Sequence, residues 1–251
     1  MLGKTIRNAV LALAAGALLP TAALAQTAPT AQSAKPAQAY FNLYDAMIGG
    51  MDLSAMTDNA ADSIFDGMVR NDPTFGALVE GKPQLRDKFR AAARPFLSVW
   101  LGRSTTVRRG QIAQNLAGKL TPADAQEIAD FYSSPLGRKV LGAVTRNLSL
   151  DSTVDSSMAG QSAASGSKAR QADENRTMSG AMRDLMPTLT PAEQTQMLKY
   201  SQKSSFAKLP LIGKAFEETP EPGFEEISTP EEREGFKRAI ASLFVEAKYG
   251  N

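Results

Sequence analysis

The sequence predicts an all-α protein, a bundle of short amphipathic helices joined by helix hairpins. Three observations carry that expectation. Apolar residues recur at three- and four-residue spacings along most of the chain, and the strict alternation of a β-strand is scarce. A helix-start signal, Thr-Pro-X-acid, stands at Thr121, Thr190 and Thr229.

The N-terminal residues precede this pattern. Lys4 and Arg7 lead into an apolar run from Ala9 to Leu19, followed by Pro20 and the small-residue pattern Ala23-Leu24-Ala25. This is the layout of a secretory signal peptide, with cleavage expected between Ala25 and Gln26. Crossing a bilayer takes roughly 20 apolar residues, and neither this run nor any later one reaches that length. Residues 1–25 therefore read as a removable signal, and the product as exported to the periplasm or secreted, without a transmembrane span. Cleavage removes Lys4 and Arg7 but no acid, so residues 26–251 carry 26 basic and 26 acidic side chains and are electrically neutral.

Residues 26–37, rich in Ala, Thr, Gln, Ser and Pro, read as a flexible lead. Residues 38–160 read as an N-terminal helical domain. In it, Leu53, Met56, Ile64, Phe65, Met68 and Val69 fit one helix face. Asp72-Pro73 reads as an N-cap with proline in the first turn, and Gly81 as the end of that short helix. From Lys82 to Trp100, Leu85, Phe89, Phe96 and Trp100 share a side, with a kink expected at Pro95. The small-residue stretch from Ser156 to Lys168 marks a boundary or a loosely packed helix end.

Residues 161–251 read as a C-terminal helical region with an acidic, Pro-rich loop from Glu217 to Thr229. Its last helix starts at Pro230 and runs to about Ala247, burying Phe236, Ile240, Leu243 and Phe244. The capped starts at Thr121 and Thr190 extend into a degenerate repeat at an offset of 69, pairing Leu120 with Leu189, Ile128 with Met197 and Phe131 with Tyr200. Internal duplication and chance similarity between two capped amphipathic helices both account for it.

Composition closes off whole chemistries. With no His and no Cys, the chain has no Ser-His-Asp triad, no Cys-His pair, no disulfide and no imidazole or thiolate zinc site. Leu, Ile, Val and Phe make up about one in five of residues 26–251, which forecasts a thin core.

The stretch Leu120 to Leu141, centred on Phe131-Tyr132-Ser133-Ser134-Pro135-Leu136-Gly137, resembles the signature of domain-of-unknown-function family 2059, exported bacterial proteins with a helical domain. The similarity covers about Leu85 to Leu148, with Asp124 where the family pattern often has Glu. The resemblance implies a helical fold and export, and it brings no catalytic residue, cofactor or partner. Local physics accounts for the motif: one helix stops near Ser133, Ser134 caps the next, Pro135 starts it, Gly137 lets the two approach, and Phe131 and Tyr132 plug the corner. The functional alternative makes Phe131, Tyr132, Ser134, Pro135 and Gly137 a recognition hairpin.

Four constellations have both a bland and a functional reading. Lys82, Arg86, Arg90 and Arg94 form a basic stripe, extended by Arg103, Arg108 and Arg109; it is a solvated helix face or a grip for anionic headgroups. Export and neutrality disfavour nucleic acid. Residues Glu217 to Glu234 hold eight Glu and one Arg, and either dock on a basic partner or fold back onto the basic helix. They lack the alternating Asp/Asn ligands and central Gly of a calcium loop. Met178, Met182 and Met186 are adaptable core or a soft Cu(I) site. Asp124, Glu127 and Asp130 favour a helix N-terminus or supply paired acids for hydrolysis.

The sequence thus supports an exported, non-catalytic helical protein, without cofactor or metal, acting through protein or envelope-surface contacts. A periplasmic small-ligand or metal binder, using the Met178 helix or the bundle interior, is the alternative.

Overall fold

The computed structural model describes residues 36–158, 163–220, 222 and 224–249. The expected signal peptide and its Ala25–Gln26 junction, residues 26–35 of the expected lead and residues 159–162 of the small-residue stretch lie outside the described residues. Every regular element among the described residues is helical, so the all-α expectation holds.

The chain forms two compact units, and neither is a consecutive half. The first gathers the described residues of Met1–Asp52, Val107–Asn147 and Glu174–Glu221; the second gathers those of Leu53–Thr106, Leu148–Asp173 and Pro222–Asn251. A cut at residue 160 therefore separates segments that belong to one unit. Short-range patterns could not reveal this, because unit membership is set by contacts between residues distant in sequence.

In the first unit, α1 (Gln38–Gly50) packs on the hairpin of α5 (Pro122–Ser133) and α6 (Pro135–Arg146). They are joined by the last turns of α4 (Gln84–Ala117) and α8 (Ala163–Leu185), and by α9 (Pro191–Ser201) and α10 (Leu209–Glu217). Thr121 starts α5 and Thr190 starts α9 in the same way. Each hydroxyl accepts from the amide three residues on, and the acid there accepts from the threonine amide, a full capping box. The core is apolar and closed: Leu43, Met47, Ile112, Leu116, Leu141 and Phe216 have no exposed surface.

The repeat seen in the sequence has a structural counterpart. At the 69-residue offset, Leu116 and Leu185, Leu120 and Leu189, Ile128 and Met197, and Val140 and Leu209 are buried in both copies. The same offset carries Asp124 to Glu193 and Lys139 to Lys208. Lys208 pairs with Asp124 at 2.5 Å and Lys139 with Glu193 at 2.6 Å. These two bridges are one contact made twice, in opposite directions. The equivalent Phe131 and Tyr200 meet each other, ring centroids 4.7 Å apart. Reciprocal contacts between equivalent residues are the mark of an isologous interface, as in a two-fold dimer. The two stretches of the repeat therefore meet in a two-fold-like arrangement.

In the second unit, α2 (Leu53–Asn71), α3 (Pro73–Val79) and the first turns of α4 enclose a core of Ala61, Phe65, Phe75, Leu85, Phe89 and Ala93. Phe65 touches both Phe75 and Phe89, with ring centroids 5.5 Å apart in each pair. Asp72 caps α3, accepting from the amides of Thr74 and Phe75, and Gly81 takes φ 74°, the left-handed value that ends a helix at least cost to glycine. The unit is completed by α7 (Asp151–Met158), the first part of α8, α11 (Phe224–Ile227) and α12 (Pro230–Tyr249). Phe236, Ile240, Leu243 and Phe244 of α12 pack on the aromatic core, as their spacing requires.

One reading is extended here and one corrected. The apolar side read from Lys82 to Trp100 belongs to a longer helix that runs on to Ala117, with Pro95 inside it. Past Trp100, Thr105 and Thr106 return their hydroxyls to the Gly102 carbonyl, so neither breaks the helix. The acidic segment is not wholly irregular either, since Phe224–Ile227 forms one helical turn.

The basic stripe meets a matching acidic one. Arg86, Arg90 and Arg94 on α4 pair with Asp66, Asp62 and Asp58 on α2, in four-residue steps that run in opposite directions. Arg90 Nη2 lies 2.8 Å from Asp62 Oδ2, and Arg94 Nε donates to Asp58 Oδ1 at 2.9 Å. Pairs this exposed contribute about 0–1 kcal/mol each. Their main effect is to fix the register of the two helices.

Candidate functional site

Two places bear on chemistry: the hairpin singled out by the sequence, and a concavity in the second unit that the sequence did not announce. At the hairpin, Ser134 caps α6 by accepting from the Gly137 amide at 3.1 Å. Gly137 then lies against the end of α5, where a Cβ would sit 2.6 Å from Tyr132 Cα and 2.8 Å from Phe131 C, and closer still to the Phe131 carbonyl oxygen. Phe131 and Tyr132 are wholly buried. Phe131 meets Tyr132, Tyr200 and Phe206 edge-on, with centroids 4.7–5.3 Å apart. The aromatic pair is core, because the corner of the hairpin is closed by the second copy. It offers no side chain to a partner, and Pro135 is the exposed member of the five residues proposed as a recognition hairpin.

The three acids of α5 are engaged separately. Asp124 closes the capping box and receives Lys208, which with Thr121 holds its carboxyl below the usual range. Glu127 accepts from Lys203 at 2.7 Å and Ser205 at 2.5 Å, and is likewise held low. Asp130 accepts from Gln126. A hydrolytic pair needs one carboxyl raised so that it can donate a proton near neutrality. Both perturbed carboxyls here are shifted the other way.

These shifts have a consequence for stability. In the second copy, Lys139 and the Thr190 amide hold Glu193 down to about 2. An acid whose folded value is depressed adds stability above its unfolded value, and that stability is lost as pH falls through the folded value. The melting temperature of the first unit is therefore expected to stay level from pH 7 to about 5, then fall as pH drops from about 4 toward 2. Calorimetry of a Lys139→Met/Lys208→Met variant should show a shallower acid decline. An equally steep decline in that variant would refute the assignment.

Met178 and Met182 are buried in the first unit beside Ala181 and Leu185, so these thioethers serve as packing. Among the described residues, no group of three or more acids converges on a point where a metal ion could sit.

The concavity is lined by α4, the end of α11 and the start of α12, with a volume of about 160 Å³. Pro95, Phe96, Val99, Trp100 and Ile227 make its apolar wall, and Arg103, Ser228 and Glu232 complete it. Arg103 meets Glu232 through two parallel bonds of 2.7 and 2.8 Å and also donates to the Ile227 carbonyl. Thr229 and Glu232 cap α12 reciprocally, which fixes Glu232 for this fork. Trp100, the chain's single tryptophan, has a buried Nε1 that finds no acceptor among the described residues. Its place at the end of an apolar stripe followed by an arginine was legible in the sequence. The hollow beside it was not, since a hollow is a property of packing.

Within the Glu217–Glu234 segment the charges divide. Glu218 pairs with Lys119 in the first unit, while Glu232 folds back on Arg103 in the second. Glu225, Glu226 and Glu231 are exposed, and their carboxylates have no ion-pair partner among the described residues.

No curated protein and no solved structure matches the chain. Residues 109–144, which contain the capped helix and the aromatic corner, match the profile of a family described as uncharacterised proteins conserved in bacteria (DUF2059).

Proposed function

We propose that the chain is an exported, non-catalytic helical protein, cleaved between Ala25 and Gln26, that works through contact with a basic protein or surface in the bacterial envelope. The observation that carries this reading is the imbalance between its charged surfaces. The arginines of α4 that suggested a grip for anions are spent on Asp58, Asp62 and Asp66. The exposed carboxylates of Glu225, Glu226 and Glu231 have no such counterpart among the described residues. A chain that is neutral over residues 26–251 thus presents unpaired negative charge on one segment, which favours encounter with positive partners.

The test is crosslinking in the envelope with the wild-type chain and with a Glu225→Gln/Glu226→Gln/Glu231→Gln variant. The wild type should capture a basic partner in a salt-sensitive manner, and the variant should lose at least tenfold in yield while keeping its melting temperature. Equal capture by both forms, or turnover of an envelope substrate by the purified protein, would overturn the proposal.

A further inference from the structure

We propose that the concavity beside Trp100 receives one aromatic side chain of a basic protein segment, a phenylalanine flanked by lysine or arginine, resting on the reading of Glu225, Glu226 and Glu231 above as a contact surface. Charge alone leaves a partner's register open, because contacts between exposed, screened groups are individually weak. A hollow beside the charge supplies an anchor, since interfaces draw most of their energy from a few large side chains seated in pockets. Pro95, Phe96, Val99, Trp100 and Ile227 form an apolar wall around about 160 Å³. Apolar cavities on the order of 150 Å³ take up benzene, which is the phenylalanine side chain without its methylene. Val99 is 42% exposed and Pro95 is exposed as well, so the hollow opens to solvent and a side chain can enter from outside. A free ring would leave this mouth wet, whereas a side chain brings its own main chain to cover it.

The rim sets what flanks the anchor. Glu226 precedes Ile227 and Glu231 precedes Glu232, so each of these exposed acids is one residue, about 3.8 Å along the main chain, from a residue of the lining. The Arg103 guanidinium is forked on Glu232 and also donates to the Ile227 carbonyl, so its charge is already answered within the wall. Arg233 turns its guanidinium to the Glu225 and Ser228 carbonyls. Glutamates at 225, 226, 231 and 232 against these two arginines leave a net charge of −2 around the hollow. Cations on either side of the aromatic anchor complement that rim, and acids there are repelled.

The full chain, labelled with ¹⁵N, is titrated at low salt with three end-capped peptides: Lys-Lys-Phe-Lys-Lys, Lys-Lys-Ala-Lys-Lys and Glu-Glu-Phe-Glu-Glu. The amides of Val99 and Ile227 report the hollow, and those of Glu225, Glu226 and Glu231 report the rim. The basic phenylalanine peptide should shift both sets and bind at least tenfold more tightly than the alanine peptide, which should shift the rim alone. The acidic peptide should bind at least tenfold more weakly than its basic counterpart. Val99→Phe fills the hollow at its mouth and should erase the advantage of phenylalanine while the melting temperature holds. Glu225→Gln/Glu226→Gln/Glu231→Gln should weaken both basic peptides and leave the ratio between them, which separates the anchor from the charged contact. Equal binding of the two basic peptides by the wild type, or an undiminished ratio in Val99→Phe, would overturn the anchor and leave the acidic contact standing. Basic peptides bound equally by the wild type and the glutamine variant would overturn the acidic contact, and with it the basic flanks of the anchor. Toluene binding as tightly as the phenylalanine peptide would make the hollow a small-molecule site, and a dimer that Val99→Phe dissolves would make it a self-contact; either result overturns the proposal.

Discussion

Gly137→Ala is expected to destabilise the first unit by about 3 kcal/mol, the upper end of the usual range for overpacking. In a chain of this size that is a fall in melting temperature on the order of 10 °C. The reason lies in what the added methyl would meet: the Phe131 carbonyl group and Tyr132 Cα, atoms of the main chain. A crowded side chain can rotate away, but here one of the two helices must move. Moving α6 also stretches the bond from the Gly137 amide to Ser134 Oγ, and a lost cap costs about 1 kcal/mol. Helix propensity favours alanine over glycine by up to about 1 kcal/mol, which is too little to offset the clash. Gly110→Ala is the control. It lies in α4, nothing would touch its Cβ within 4 Å, and it should gain stability from propensity alone. Denaturant titrations followed by tyrosine signals check both, because four of the five tyrosines, at 40, 44, 132 and 200, belong to the first unit. A Gly137→Ala protein as stable as the wild type would refute the close approach of the two helices.

What could be read from the sequence was whatever obeys short-range rules. The starts at Pro73, Pro122, Pro191 and Pro230 follow from capping, which needs four consecutive residues and no tertiary contact. The apolar faces of α2 and α12 follow from periodicity in the same way. The interleaving of the two units was not legible, because a helix such as α4 carries residues of both without a break in its pattern. The fate of the basic stripe was legible only in principle. Asp58, Asp62 and Asp66 repeat at the spacing of Arg86, Arg90 and Arg94, but nothing local says that the two series face one another.

The candidate sites divide along the same line. The Ser134-Pro135 cap and the Gly137 approach were derivable, since each follows from one residue's conformational limits. That Phe131 and Tyr132 would be sealed required knowing that Tyr200 and Phe206 arrive from the second copy. The repeat hinted at this through the correspondence of Phe131 with Tyr200, but a correspondence in sequence does not by itself imply a contact. The hollow at Trp100 depends on where α12 begins relative to α4, more than a hundred residues away in the chain.

Phe131→Ala should have the largest effect of any single change considered. The ring is fully buried and touches three other rings, two of them contributed by the second copy. Truncating a buried phenylalanine costs about 3–5 kcal/mol, through lost transfer energy and the cavity left behind. Domains have only about 5–15 kcal/mol to lose, so the first unit is expected to be marginal or unfolded at 37 °C. Phe131→Leu keeps most of the volume but forfeits the edge-to-face geometry with Tyr200 and Phe206, and should recover more than half of the loss. The two units can be followed separately, since Trp100 lies in the second. Tyrosine near-ultraviolet dichroism should lose its cooperative transition in Phe131→Ala, or shift it far down in denaturant, while Trp100 fluorescence reports whether the second unit survives without it. A loss below about 1 kcal/mol would mean that Phe131 is not sealed between the copies. The aromatic corner would then be open surface, and the recognition role set aside for Phe131 and Tyr132 would return.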